Sequence, residues 1–182
     1  MSEVLSRAAL RNLLQVGGLP GLGPERRAGA WSLEALKREF AGSFLEAGLD
    51  QTSEELVRAA VLLWHDHLDA SHIIAQRISN GDGSYLHGIM HRREPDYGNA
   101  KYWFHRVGPH PAYVRIAVES GALMGETGSA GLIRRLIPEG RWDPLEFVDL
   151  CEAPGGVALE QLARQIQGIE LRVLLDLFLA DS

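Results

Sequence analysis

A single cysteine, Cys151, stands in a chain of 182 residues, so no intrachain disulfide can form. Its place after Leu150 in an apolar stretch predicts a small core residue rather than a nucleophile. Long hydrophobic runs are missing too. No 18 consecutive apolar residues occur, and the C-terminal LRVLLDLFLA is short and interrupted by Arg172 and Asp176. No signal-peptide pattern opens the sequence. No membrane contact is expected, and a reducing cytoplasm is the expected compartment. An excess of positive charge is also lacking. The net charge of −6 disfavours nucleic acid as a partner, because phosphate backbones require a basic footprint. Two enzyme signatures are absent, the zinc-binding H-E-x-x-H and the nucleophile elbow G-x-S-x-G. The stretch GETGSAG at 125–131 has neither a preceding strand nor the Lys-Ser/Thr ending of a phosphate loop, and reads as a connector.

The chain is long enough for one buried core. With 46% hydrophobic and 23% charged residues, it has the composition of a globular protein. Apolar residues recur at helical spacing and nowhere alternate as in a strand. The expected fold is all-α: a single compact multi-helix domain over 1–182, with seven to nine helices. Glycine closes the first helix, Ser2–Val16, at Gly17-Gly18. Ser32 is placed to cap a helix over Leu33–Phe40. The pair Thr52 and Glu55 has the spacing of a capping box and predicts a long helix from Thr52 to Ile78. Further helices are expected at Tyr85–Arg93, Asn99–Val107, Pro111–Ser120, from Asp143-Pro144 through Glu152, and at Val157–Ala180. Thr52–Ile78 and Val157–Ala180 are expected to be the longest.

What the sequence does hold is a concentration of histidine. All seven lie between His65 and His110: His65, His67 and His72 in WHDHLDASH, His87 and His91 in HGIMHRREPD, His105 and His110 in FHRVGPHP. Imidazole titrates near physiological pH and is the commonest metal ligand. The candidate site region is therefore 64–113. On a continuous Thr52–Ile78 helix, His67 and Ser71 fall within the apolar face. His65, Asp69, His72 and Gln76 form a stripe at its edge, and Asp66 points away. His87 and His91, four residues apart, project together from the following helix, a spacing that lets two imidazoles share one metal ion or one phosphate.

Cations and aromatics crowd the same region. Residues 84–110 carry Arg92, Arg93, Lys101 and Arg106 against Glu94 and Asp96, a local charge of +2 that leaves −8 for the remainder. All four tyrosines lie between Tyr85 and Tyr113. Aromatic rings build pocket walls and arginines take carboxylate or phosphate in bidentate fashion. Buried guanidinium groups also need acceptors, and Glu94 or Asp96 are the local ones. Asp96 or Asn99 is equally suited to capping the next helix.

The run HGIMHRREPDYGNAKYW resembles the H-x-I-M-H-R-R-E-x-D-x-x-N-x-K-Y-W signature of a family of uncharacterised bacterial and fungal proteins. The resemblance covers about residues 62–113. It implies no reaction, only that His87, His91, Arg92, Arg93, Glu94, Asp96, Asn99, Lys101, Tyr102 and Trp103 belong to one signature. The helical H…HD…D arrangement of histidine–aspartate hydrolases is matched only by the adjacent pair His65-Asp66.

These residues support three readings. The first is an enzyme acting on a small anionic substrate, with His72, His87 and Asp69 as catalytic groups. Either they serve as general acid and base, or His72, His87, His91 and Asp69 hold a divalent ion, Zn²⁺, Fe²⁺ or Mn²⁺. Arg92, Arg93, Asp96, Asn99, Tyr102 and Trp103 would then bind the substrate. The second is a non-catalytic module holding a sugar, nucleotide or organic acid in the same pocket. The third is a structural or interaction protein whose histidines satisfy a helical core. A shared metal requires the His72 and His87 rings to meet.

Overall fold

Five side chains that compete with the backbone for hydrogen bonds each stand just before a helix and cap it. Ser32 accepts from Ala35 N–H, Asp50 from Ser53, Asn80 from Gly83, Asp96 from Asn99, and Asp143 from Leu145 and Glu146. In the computed structural model, which describes residues 3–180, they set the register of a wholly helical chain. The helices are α1 (Glu3–Asn12), α2 (Leu33–Phe44), α3 (Gln51–Trp64), α4 (Leu68–Ala75), α5 (Gly81–Arg93), α6 (Tyr97–Val107), α7 (Ala112–Glu126), α8 (Ala130–Leu136), α9 (Pro144–Glu152) and α10 (Val157–Phe178), with a 3₁₀ turn at Pro138–Gly140. No strand occurs among the described residues, and no helix there is long and apolar enough to cross a membrane. The chain is one all-α domain.

Among the described residues there are ten α-helices rather than seven to nine. Leu33–Phe40 extends to Phe44, and α7 continues through Gly121 to Glu126. The connector 125–131 is partly taken up by α8. The larger departure is at Thr52–Ile78, which is not one helix. Asp66, at φ 63, turns the chain between α3 and α4. Nor do Thr52 and Glu55 form the expected capping box, because Asp50 takes the capping position.

The corner has a tertiary cause. Arg93, fully buried on α5, donates to Asp66 Oδ1 at 2.7 Å, to Leu63 O at 2.5 Å and to Gly23 O at 3.2 Å. Arg27 adds its own N–H to Asp66 Oδ2 at 3.0 Å. Asp66 therefore points inward, contrary to its place on a continuous helical wheel. Aspartate is one of the few residues besides glycine that tolerates this backbone conformation. Two of the last carbonyls of α3 take guanidinium donors, Leu63 O from Arg93 on α5 and Trp64 O from Arg27 in the loop before α2.

Helix α5 runs through the middle of the molecule, against α3, α4, α6 and α9, and every residue from Gly83 to Arg93 is buried. Its approach to α6 depends on Gly88. A Cβ there would lie 2.9 Å from the Phe104 ring, closer than non-bonded carbons pack. A buried helix that carries Tyr85, His87, His91, Arg92 and Arg93 must satisfy their polar atoms internally. Arg92 donates to Glu170 at 2.6 Å and Gln167 at 3.2 Å on α10, and Tyr85 donates to Glu170 at 2.9 Å. Cys151 is buried, its thiol pushed up to about 12 mainly by burial, and so it packs as a core residue.

Candidate metal centre

The seven histidines divide by what their ring nitrogens do. His65 is fully satisfied, with Nδ1 accepting from Trp31 N–H at 3.1 Å and Nε2 lying 2.9 Å from Leu13 O as donor. His67, at the α3–α4 corner, donates to Trp31 O at 2.8 Å. His110 accepts from Ala112 N–H through Nδ1 and donates to Asp82 through Nε2 at 2.9 Å, fastening the start of α7 to α5. His105 is exposed. These four are explained by packing or by solvent.

His72, His87 and His91 are different. Their rings converge from α4 and α5: His72 lies 4.6 Å from His87 and 5.5 Å from His91, centroid to centroid, and edge-on to both. His87 and His91 stack nearly parallel at 5.1 Å. One nitrogen from each of the three falls within 4.8 Å of the others. Tetrahedral zinc with Zn–N bonds of about 2.0–2.1 Å needs donors about 3.3 Å apart, so modest ring rotations would close the set. The α3–α4 corner produces this meeting, because it redirects α4 so that His72 packs over α5.

The His87 ring also lies flat on Trp103, at 3.9 Å and 7°. That stack holds the imidazole from α6. His87 is 3% exposed, yet its Nδ1 has no hydrogen-bond partner. Such an orphan costs about 1–3 kcal/mol in a folded protein. Burial, reinforced by the neighbouring His72 and His91, pushes His87 down to about 4. Burial also lowers His91, against the opposing pull of Glu94. Both shifts favour the neutral imidazole, the form whose lone pairs can coordinate.

Of the remaining expected site residues, Asn99 lies against the His91 ring and the others lie elsewhere. Asp69 is exposed on α4, outside the histidine trio. It lines a neighbouring concavity of about 420 Å³ together with Asp66, His67 and Glu94. The group that could hold a metal ion among the described residues is thus three nitrogens, without the carboxylate oxygen expected from Asp69. Arg92 and Arg93 are both fully buried in ion pairs with Glu170 and Asp66. Neither Glu94 nor Asp96 serves as their acceptor: Glu170 on α10 and Asp66 at the α3–α4 corner, fully buried carboxylates distant in sequence, do so. Asp96 caps α6. Tyr102 is half exposed and edge-on to Trp103 at 5.5 Å. Lys101 pairs with Asp149, and Arg106 lies over the Trp103 ring at 5.4 Å.

Sequence reasoning gives Glu94 no role at the histidines, yet its Oε2 lies 3.3 Å from His91 Nδ1. The i,i+3 spacing at the end of one helix is the signal that could have found it. Asn99 is at the same ring, its amide nitrogen 3.1 Å from His91 Nε2. No family model, no curated protein and no solved structure matches this chain, so the chemistry of the site rests on its own side chains.

Proposed function

We propose that this protein is a metal-dependent enzyme whose centre is one divalent first-row ion held by His72, His87 and His91. The observation that carries the reading is the convergence of three imidazole nitrogens within 4.8 Å, one ring of which keeps a buried nitrogen without a partner. Three protein ligands leave a coordination position for water or substrate, the pattern of catalytic rather than structural zinc sites. An all-imidazole set without carboxylate suits zinc or iron(II) better than manganese(II), and zinc is the first choice. An ion there would polarise a bound oxygen or lower the pKa of bound water to about 7. With Arg92 and Arg93 committed to internal partners, the ion itself is the positive charge that would attract a small anionic substrate. Asp69, on the wall of the adjacent concavity and three residues from His72, is the candidate for moving a proton.

The test is metal analysis of the purified protein, followed by thermal melting with and without added Zn²⁺. One ion per chain is expected, with an added stability of roughly 2.7 kcal/mol at 100 times the Kd, both lost in His72→Ala. His72 is only half-buried, so that variant is the least disruptive of the three. Absence of bound metal together with no shift on adding Zn²⁺ would sink the reading and leave the three rings as an aromatic packing cluster around Trp103.

A further inference from the structure

We infer that Glu94 is the positioning carboxylate of this centre: it holds the His91 proton on Nδ1, so that Nε2 is the metal-binding nitrogen. This deepens the metal reading and rests on it. His91 sits in the last turn of α5, and Glu94 is the residue that ends the helix, its own N–H bonded to Met90 O at 3.0 Å. The helix end thereby fixes the carboxylate on one side of the ring, 3.3 Å from Nδ1. The Asn99 amide nitrogen lies 3.1 Å from Nε2 and 3.5 Å from Nδ1.

The Glu94 contact selects one tautomer. A carboxylate only accepts, so the hydrogen of the neutral ring belongs on Nδ1 and Nε2 keeps its lone pair. Asn99, nearly equidistant from both ring nitrogens, lies over the ring face and leaves the in-plane lone pair of Nε2 open. The resulting order, carboxylate, imidazole, open lone pair, is the arrangement by which metal-binding histidines are oriented and made more basic. It also distinguishes His91 from its two partners. Neither His72 nor His87 has a carboxylate at ion-pair distance among the described residues; His87 is held by its stack on Trp103, and half-buried His72 is the ligand left to adjust to the ion.

Long-range ¹H–¹⁵N NMR on the metal-free chain reads the tautomer, and Co²⁺ titration followed by visible absorption reads the affinity. In wild type we expect His91 to be protonated at Nδ1. Glu94→Ala is expected to lose that preference and to weaken Co²⁺ binding about 10- to 100-fold. Glu94→Gln, whose amide oxygen still accepts, should retain the tautomer and lose less. Glu94 is 32% exposed at its side chain, so equal denaturant midpoints for wild type and the Glu94 variants serve as the folding control. An Nε2–H tautomer in wild type, or equal Co²⁺ affinity in Glu94→Ala, would overturn the Glu94 role while leaving the three-histidine centre intact. No Co²⁺ uptake by wild type would overturn both.

Discussion

A buried imidazole has two nitrogens to satisfy, and His65 and His87 differ in how far they do so. His65 bonds both to backbone groups of Trp31 and Leu13, which secures the N-terminal segment to the end of α3. Burial is the main reason its pKa lies at about 4, below the ordinary 6.5. The unfolded chain therefore takes up a proton first as the pH falls. The stability that His65 contributes is present in full above about pH 6.5 and is lost progressively between about 6.5 and 4. His87, with its Nδ1 unpartnered, acts in the same direction. Protonating His65 would also remove the Nδ1 lone pair that accepts from Trp31. Urea midpoints measured from pH 7.5 to 4.5 should fall steadily in wild type. They should fall less steeply in His65→Gln, which starts lower but has no proton to gain there. Parallel curves for the two proteins would show that His65 does not carry this dependence.

Among the elements, the α3–α4 corner decides whether the site exists. Two helices meeting at Asp66 place His72 over His87, whereas one straight helix would carry it past. The fastening is the buried Arg93–Asp66 pair, with both side chains fully shielded from water. Removing one partner of such a pair leaves an uncompensated buried charge and costs about 3–5 kcal/mol. Arg93→Met should show a loss of that order in urea unfolding. It should also weaken Zn²⁺ binding, although Arg93 is no member of the histidine trio. Asp66→Asn should cost less, because asparagine tolerates the positive φ and its side-chain oxygen still accepts. If Arg93→Met unfolds more easily yet binds Zn²⁺ as wild type does, then α4 is positioned by its apolar contacts alone.

For the molecule as a whole, the central feature is a helix that carries charge through the core. α5 is tied to α10 by Arg92, Glu170, Gln167 and Tyr85, far apart in sequence and wholly buried. Burial and the Tyr85–Glu170 contact hold the Tyr85 phenol well above its usual range, so it remains a donor to Glu170. Glu170→Ala should therefore destabilise the fold by about 3–5 kcal/mol, while the double variant Arg92→Met/Glu170→Leu should recover most of that loss. The same pair separates the two roles open to Arg92. Thermal stabilisation by phosphate or citrate is expected to require Zn²⁺ loading and to persist in the double variant. An anion effect that vanishes with Arg92 would return that residue to ligand binding.

The all-helical fold is legible in the sequence because helix-forming information is local. Apolar spacing and the caps Ser32 and Asp143 act within a turn or two of where they stand. The pairing of His87 with His91 is legible for the same reason, being an i,i+4 relation on one helix. Partners for the two arginines are not. Periodicity assigns Arg93 to the apolar side of its helix, but only the folded chain brings Asp66 and Glu170 within reach, and a buried charge takes the best-shielded acceptor rather than the nearest in sequence. Neither glycine nor proline marks the break at Asp66, so nothing local announces it: its cause is a guanidinium from 27 residues further along the chain. From that one long-range ion pair follow the turn of α4, the arrival of His72 over α5, and the exclusion of Asp69 from the histidine group.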